Sequence, residues 1–246
     1  MSEVERQLKV TSEARPTPRW SVILPVYNQA DHLRQVVAGY RRSLAGAGES
    51  FELLLVPNGC RDESEQICDE LAARHDDVVR VHCPGSGWGR GVQSGLTASR
   101  GDVVCYTNLA RTTPEDLLSV LLYAKAHPDL VVKANRTLRE SLHRRVGSLL
   151  YNLECRLLFG LKIRDINGTP KVFPRRFAAL LELASYDDLI DAEFALVCRR
   201  RGYPVVEVPI SSSRRHGGSS TTSMKSALRM YLGALALRRR RGGADD

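Results

Sequence analysis

A glycine-rich stretch in the first half of the chain has the composition of a phosphate-binding loop. Gly87, Gly89 and Gly91 alternate with Trp88 and Arg90. Glycines let the backbone approach a ligand closely, and exposed N–H groups at the start of a helix favour phosphate. A guanidinium such as that of Arg90 matches the geometry of a diphosphate. The stretch therefore predicts a diphosphate site that includes Gly89 and Arg90.

Three carboxylates in the second half are candidates for acid–base chemistry. Asp191 and Glu193 are two positions apart, so on a helix their side chains diverge. At the first turn of a helix, one of them can cap the helix while the other faces a cleft. A carboxylate in that cleft could act as general base toward a hydroxyl. Asp165 comes shortly before Asn167 and Gly168, which indicate a tight loop.

Apolar runs alternating with helical patterns predict the scaffold for these groups. Continuous apolar runs are typical of strands buried on both faces. The alternation predicts one α/β domain with a mostly parallel sheet flanked by helices, in which ligands bind beyond the carboxyl ends of the strands. Strands are expected at residues 20–26, 51–56, 78–82, 103–107, 130–133 and 205–209. Helices are expected at residues 31–44, 62–75 with Asp62 as N-cap, 91–99, 114–127, 142–159, 177–183, 189–201 and 224–237.

The composition limits the kind of partner. The chain has 246 residues and a formal charge of +8, which suits a phosphate-rich small substrate, an anionic membrane surface or nucleic acid. The sequence has no zinc-finger spacing, RNP-like aromatic motif or helix-turn-helix signature, so we predict no nucleic-acid partner. Its six cysteines are dispersed without a C-x-x-C pair, which indicates reduced thiols in a cytosolic protein.

The two ends of the chain differ from its middle. Residues 1–19 are polar and lack an apolar leader core, so a flexible tail is expected there and no secretory signal. Residues 20–223 form the predicted domain. Residues 224–246 read as a basic amphipathic helix and tail, suited either to an anionic membrane surface or partner, or to plain solvent exposure. We expect a cytoplasmic location, with peripheral contact at the inner face of the membrane as an open option.

A series of short motifs follows the order of the predicted elements. They are Leu-Pro-Val-Tyr-Asn-Gln at 24–29, Pro-Asn-Gly-Cys-Arg-Asp at 57–62, the glycine-rich stretch, Lys-Val-Phe at 171–173, Asp-Ala-Glu at 191–193 and Glu-Val-Pro at 207–209. This series resembles glycosyltransferase family 2, in the branch of the dolichol- and polyprenyl-phosphate mannose and glucose synthases. The resemblance implies a GT-A fold, an inverting reaction, and nucleotide-sugar contacts from Pro25, Tyr27, Asn28, Asn58, Asp62, Gly89, Arg90, Asn108 and Arg111.

The same resemblance assigns roles in the second half of the chain. It implies that Asp165 binds sugar hydroxyls and that Asp165, Asp191 and Glu193 are the catalytic carboxylates. Basic residues after the fifth predicted strand resemble the acceptor side of the branch, and the Arg215 loop resembles one that closes over the diphosphate. The implied phosphate and acceptor contacts are Lys133, Arg136, Arg145, Ser148, Arg215 and Ser219. For the outer arginines, a solvated or membrane-facing helix face is an equal alternative.

The sequence departs from the family where an Asp-x-Asp metal site is usual. Asn108 and Ala110 occupy the two aspartate positions. Neither supplies an anionic oxygen, the donor that Mg²⁺ and Mn²⁺ prefer. We therefore assign no metal ligand and hypothesise that Arg111, Lys133 and Arg136 bear the charge of the leaving diphosphate instead. Weak binding of Mg²⁺ or Mn²⁺ is the alternative.

The function expected from this sequence is transfer of a hexose from a UDP- or GDP-sugar to a polyprenyl phosphate or a soluble acceptor. The competing hypothesis is a degenerate transferase that binds a nucleotide-sugar, or regulates a partner protein, without catalysis. Asn108 and Ala110 favour the second hypothesis, whereas the glycine-rich stretch and the carboxylates Asp165, Asp191 and Glu193 favour the first.

Overall fold

The computed structural model describes residues 17–136, 142–210 and 231–233, and in the helix that begins at Leu142 it describes side chains from Leu150 onward. Within these ranges strands and helices alternate along most of the chain. The strands are β1 (Trp20–Val26), β2 (Phe51–Pro57), β3 (Val78–Arg80), β4 (Val103–Tyr106), β5 (Val131–Arg136), β6 (Lys171–Pro174) and β7 (Val205–Ile210). The helices are α1 (Leu33–Ala45), α2 (Ser64–Arg74), α3 (Trp88–Ala98), α4 (Pro114–Ala126), α5 (Leu142–Phe159) and α6 (Ile190–Arg200).

The strands form one sheet in the order β3-β2-β1-β4-β6-β5-β7. Every neighbouring pair is parallel except β4–β6 and β5–β6, which are antiparallel. The prediction of a mostly parallel sheet flanked by helices is confirmed. The sequence did not predict β6, because Lys171 and Pro174 at its two ends interrupt the apolar run that marks a buried strand. Its position between β4 and β5 places Lys171 inside the sheet.

Helices cover both faces of the sheet, which is why β1 is buried along its whole length. Successive side chains of a strand point to opposite faces. Val22 and Leu24 belong to the core formed with α1, α2 and α4, whereas Ile23 between them belongs to the core formed with α3 and α6. Both faces of the central strands are therefore closed, and the carboxyl ends of the strands are left to hold polar groups.

A third apolar cluster joins α5 to α6. Tyr151, Cys155 and Phe159 of α5 pack against Ala192 and Leu196 of α6. The bounds of α5 are those predicted from the sequence. Among the described residues, none of the helices combines the length and the apolar character that crossing a bilayer requires.

Two predicted elements differ from the structure, and a third lies mostly outside the described residues. The helix expected at residues 177–183 is a single 3₁₀ turn at Ala178–Leu180. The N-cap residue of α2 is Glu63 rather than Asp62. The Asp62 carboxylate instead accepts the N–H of Ser64 at 3.1 Å and that of Ala30 at 3.0 Å, so it ties the loop after β1 to the start of α2. Of the helix expected at residues 224–237, only residues 231–233 lie within the described part, and these are helical.

Candidate active site

One register row of the sheet carries charged residues near the strand ends. Tyr106 of β4 lies opposite Lys171 of β6. Lys171 in turn lies opposite Lys133 of β5, which lies opposite Glu207 of β7. Directly opposed residues project to the same face of a sheet. Two lysines therefore lie next to each other inside the protein, with relative exposures of 1% and 0%, and must be compensated by carboxylates.

Asp191, in the first turn of α6, provides one compensating charge. Its carboxylate accepts hydrogen bonds from the Trp88 indole N–H at 3.2 Å, from the Tyr106 hydroxyl at 3.0 Å and from the Lys171 ammonium. The donors belong to α3, β4 and β6, so one carboxylate that is 5% exposed joins three elements to α6. Burial lowers the pKa of Lys171, and the nearby Asp191 opposes that effect. Burial and Asp191 raise the pKa of Tyr106 far above its usual value, which keeps the phenol protonated as a donor.

Lys133 is held by acceptors within the protein. Its ammonium donates to the Ala134 carbonyl at 3.0 Å, to the Asp165 carbonyl and to the Glu207 carboxylate at 3.2 Å. An ammonium has three N–H groups, and all three are used. Burial, followed by the charge of Lys171, lowers the pKa of Lys133 to about 8. The sequence suggested that Lys133 binds phosphate; with every N–H engaged, it instead connects β5, β7 and the loop before β6.

Arg136 and Asp165 form a bidentate ion pair near the end of β5. The Nε and Nη2 atoms of Arg136 donate to the two carboxylate oxygens of Asp165, each at 2.8 Å. Asp165 is almost fully buried and also accepts the backbone N–H of Arg136 at 3.2 Å. A Cβ on Gly168 would lie 2.1 Å from the Ala134 carbonyl oxygen, which explains the glycine in this tight loop. The guanidinium proposed for phosphate and the carboxylate proposed for sugar thus bind each other.

Glu193 points away from Asp191, as expected for residues two apart on a helix. Its carboxylate accepts the backbone N–H groups of Ala184 at 3.0 Å and Ser185 at 2.7 Å. The side chain is fully buried. In this arrangement Glu193 anchors the segment that precedes α6, whereas Asp191 faces the charged row. Of the two carboxylates, Asp191 is the one that contacts the charged row, through Tyr106 and Lys171.

The glycine-rich stretch packs against that anchored segment. A Cβ on Gly89 would lie 2.5 Å from both the Ser185 carbonyl oxygen and the Tyr186 carbonyl carbon. A Cβ on Gly91 would lie 2.9 Å from the Cβ of Pro25. The guanidinium of Arg90 lies over the Tyr186 ring, with its carbon 4.7 Å from the ring centroid. Close protein packing therefore accounts for these two glycines. Arg90, which the sequence predicts to contact a diphosphate, lies against Tyr186.

The predicted base-binding residues meet where β1 and β2 end. Asn58 is buried; its amide donates to the Val26 carbonyl at 2.9 Å and accepts the Gly87 N–H at 3.4 Å. Asn28 has a positive φ of 50° and accepts the Arg61 N–H at 2.7 Å. Tyr27, next to it, is half-buried. The asparagines fix the shape of this edge through backbone hydrogen bonds, and the Asn58 amide is used within the protein.

Comparison with known proteins decides the family. Residues 21–179 match the model described as Glycosyl transferase family 2, which is more than half of the chain. The chain belongs to glycosyl transferase family 2. The resemblance drawn from the ordered motifs is thereby confirmed.

Relatives within the family include transferases named for polyprenyl phosphates. The chain is 29% identical over 225 residues to polyprenol monophosphomannose synthase of Mycolicibacterium smegmatis, covering 85% of this chain and 83% of that protein. It is 26% identical over 212 residues to undecaprenyl-phosphate 4-deoxy-4-formamido-L-arabinose transferase of Pseudomonas fluorescens. That match covers 83% of this chain but only 61% of the relative's length. A match to glycosyltransferase AglD of Haloferax volcanii covers 32% of that protein's length.

Solved structures of family-like transferases share the fold. Glucosyl-3-phosphoglycerate synthase from Mycobacterium tuberculosis, in complex with Mn²⁺, UDP and phosphoglyceric acid, superposes with a TM-score of 0.67 at 17% identity. The match covers 90% of this chain and 78% of that one. The same enzyme in complex with Mg²⁺ and UDP gives a TM-score of 0.66 at 16% identity. The GT-A fold implied by the motifs is confirmed.

The loop from Asn108 to Ala110 offers no anionic oxygen to a divalent cation. The Asn108 side-chain oxygen accepts the Ala110 N–H at 3.1 Å and so closes its own loop. Ala110 is fully buried and has no ligand atom in its side chain. In the part of the chain that the structure describes, no three His, Cys, Asp or Glu side chains are grouped as metal ligands. Arg111, half-buried, follows directly.

Four predicted contacts lie outside the described residues or side chains. Arg145 and Ser148 are in the part of α5 for which only the backbone is described. Arg215 and Ser219 lie in a part of the chain that the structure does not describe. Their phosphate- and acceptor-binding roles stay predictions.

Sequence reasoning assigned no role to three residues that complete the site. Lys171 stood in the Lys-Val-Phe motif, Trp88 in the glycine-rich stretch and Tyr106 in an apolar run. The available signal was a lysine at the end of a buried strand, because a fully buried lysine needs a partner carboxylate. The tyrosine at the end of the neighbouring strand was a second polar group at the same edge.

Proposed function

We propose that this chain transfers a hexose from a UDP- or GDP-sugar to a polyprenyl phosphate, with inversion at the anomeric carbon. Family membership and the relative named polyprenol monophosphomannose synthase, matched over 83% of its length, support this class of reaction. The observation that carries the proposal is the Asp191 carboxylate, fixed by Trp88, Tyr106 and Lys171 at the edge where α3 begins. An internal carboxylate with this many partners is preorganised for one geometry.

The donor would lie along the carboxyl ends of β1, β2 and β4. Parallel sheets bind ligands at this edge, and α3 begins beside it, with the Arg90 side chain over the Tyr186 ring. Pro25, Tyr27, Asn28 and Asp62 border the end where the nucleoside is expected. The hexose would then lie toward Asp191, and the Arg136–Asp165 pair supports the neighbouring strand end.

The chemistry requires little proton transfer when the acceptor is a phosphate. An ionised acceptor oxygen attacks the anomeric carbon, the bond from that carbon to the diphosphate breaks, and the nucleoside diphosphate leaves with the electron pair. Asp191 would then orient the hexose and stabilise positive charge on the ring rather than remove a proton. Toward a soluble alcohol acceptor, Asp191 would instead serve as the general base.

The leaving diphosphate carries charge that something must neutralise. Because the Asn108–Ala110 segment does not offer a divalent cation its usual ligands, Arg111 and Arg90 are the cations that we assign to this task. Lys133 is no longer among them, since its three N–H groups are engaged within the protein. We place the enzyme on the cytoplasmic side, in peripheral contact with the membrane that holds a lipid acceptor.

The test is transfer from radiolabelled UDP- and GDP-sugars to a short-chain, water-soluble polyprenyl phosphate, with EDTA or with Mn²⁺. The same donors are screened by thermal shift, since a ligand bound to the folded state raises the melting temperature. We expect transfer and a thermal shift with one donor class, both persisting in EDTA. Loss of both in EDTA with recovery in Mn²⁺ would contradict the metal-independent assignment. Absence of transfer from either donor class would contradict the proposed reaction.

Asn108 and Ala110 favour one competing function, a nucleotide-sugar-binding or regulatory protein without catalysis. Slow hydrolysis of the donor in the absence of acceptor distinguishes the transferase from the binding protein. The donor would raise the melting temperature of a binding protein, but that protein would release no sugar from it. Asp191→Asn is the matched control, since it should abolish hydrolysis while leaving the donor-induced shift in place.

A further inference from the structure

The outer face of α5 carries a row of exposed leucines. Leu150, Leu153 and Leu157 are 54%, 49% and 74% exposed. Their spacing of three and four residues places them on one side of the helix. The other side holds Tyr151, Cys155 and Phe159 in the core shared with α6, so the leucines are not part of that core. A row of three large aliphatic side chains on a surface indicates contact with an apolar phase or partner.

Cations surround the end of this row. Arg156 lies next to Leu157 and is exposed, as is Lys162 just beyond the helix. The exposed Arg199, at the end of α6, reaches across to the same place: a Cβ on Gly160 would lie 2.1 Å from its guanidinium nitrogen. Together, the exposed residues Leu150, Leu153, Leu157, Arg156, Lys162 and Arg199 form what we call the α5 patch.

The helix that carries the patch has little negative charge of its own. The sequence of α5 contains one acidic residue, Glu154. It is half-buried, and burial raises its pKa. Asp165 and Glu207, two acidic residues beyond α5 in the sequence, pair with Arg136 and Lys133. Among the described residues, no ion pair engages Arg156, Lys162 or Arg199, so the patch combines exposed aliphatic side chains with positive charge.

We propose that the α5 patch binds the anionic surface of a lipid bilayer. Leucines that insert at the headgroup boundary, with arginine and lysine beside them to meet lipid phosphates, are the chemistry of interfacial helices. A second copy of this chain fits less well, because an interface built from two such patches would bring like charges together. Only the purpose of this membrane contact rests on the proposed function. Because α5 follows β5 in the chain, the contact would hold the carboxyl end of β5 near a lipid acceptor.

The test is co-sedimentation of the full chain with vesicles of phosphatidylcholine alone or mixed with phosphatidylglycerol. We expect binding to the mixed vesicles, weakened by salt, and little binding to neutral ones. Leu153→Gln with Leu157→Gln should reduce binding about tenfold or more, since each buried leucine contributes substantially to membrane insertion. Arg156→Gln with Arg199→Gln should reduce it by about fivefold for each charge.

Matched controls lie on the opposite side of the sheet. Leu122 of α4 is 42% exposed and Arg74 of α2 is exposed. Leu122→Gln and Arg74→Gln therefore remove an exposed leucine and an exposed arginine that lie outside the α5 patch. Equal losses in patch and control variants, or equal binding to neutral and anionic vesicles, would overturn the proposal. So would patch variants that convert a dimer to a monomer in light scattering without changing vesicle binding.

A transfer assay keeps this proposal separate from the proposed function. Patch variants should retain transfer to a water-soluble, short-chain polyprenyl phosphate and lose transfer to a long-chain one embedded in anionic vesicles. Absence of transfer with either acceptor, combined with intact vesicle binding, would count against the proposed function alone. Full transfer by the patch variants to the embedded acceptor would count against the patch alone.

Discussion

The ammonium of Lys171 and the carboxylate of Asp191 form an ion pair inside the protein, with the two side chains 0% and 7% exposed. Lys171 sits in the middle of the sheet and Asp191 in the first turn of α6, so the pair fixes the helix relative to the strand ends. The ammonium also lies 5.1 Å from the centroid of the Tyr106 ring and 5.6 Å from that of Phe194, which adds cation–π attraction.

Replacement of the lysine tests how strongly this pair is coupled. Lys171→Met leaves the Asp191 carboxylate buried with neutral donors alone, and we expect a loss of about 3–5 kcal/mol in the free energy of unfolding. The double variant Lys171→Met with Asp191→Asn removes both charges and should recover at least half of that loss. Urea unfolding of the four proteins of this cycle gives the coupling. Additive effects of the two substitutions would show that the pair is not coupled.

Glu193 offers a test of anchoring against catalysis. Glu193→Ala leaves the N–H groups of Ala184 and Ser185 without their acceptor, so we expect a loss of about 2–3 kcal/mol in stability. Glu193→Gln keeps one acceptor oxygen and should retain most of the stability and most of the transfer rate. Asp191→Asn, by comparison, should lower kcat while the donor still binds. If Glu193→Gln abolished transfer in a protein of normal stability, Glu193 would be a catalytic residue after all.

Six of the seven strands in the described residues could be predicted because their signal is local. The residues of β1 and β2 are almost all apolar, and burial on both faces explains that composition without reference to any partner. The start of α4 was equally readable, since Thr113 caps it and Pro114 follows. The family motifs then predict a site at the carboxyl ends of these strands.

The partners within the site could not be predicted, because they depend on long-range register. Trp88 and Asp191 are 103 positions apart and meet only because α3 and α6 pack on the same face of the sheet. The opposition of Lys171 to Lys133 requires that β6 be inserted antiparallel between β4 and β5. A sequence pattern with a period of two identifies a strand face but does not state which strand lies beside it.

Lys133 predicts a pH dependence of stability. Its folded-state pKa of about 8 is below the unfolded value of 10.5, so between these two values the unfolded state binds the proton that the folded state has released. Stability contributed by this group therefore rises with pH across that window, by up to about 3 kcal/mol in total. Burial of the charged Lys133 ammonium destabilises the folded state fully below pH 8, where both states are protonated. This destabilisation fades as the pH approaches 10.5.

The measurement is the unfolding free energy of the wild type minus that of Lys133→Met, at intervals from pH 7 to about pH 10. Titrations shared by the two proteins, such as those of buried tyrosines, cancel in the difference. The difference should shift in favour of the wild type as the pH rises above 8. A flat difference over this range would mean that Asp165 and Glu207 hold the ammonium protonated against burial and the charge of Lys171.

Gly89 predicts the cost of crowding the glycine-rich stretch. A methyl group there would lie 2.5 Å from backbone atoms of residues 185 and 186, which cannot move without releasing the Glu193 anchor. We expect Gly89→Ala to lower stability by about 1–3 kcal/mol, as overpacking does, and to weaken donor binding in thermal shift. Gly46→Ala is the matched control: its φ of −65° suits alanine and its nearest neighbour would be 3.5 Å away, so it should be neutral or stabilising by up to about 1 kcal/mol. Equal effects of the two substitutions would show that residues 184–187 do not lie against α3 in solution.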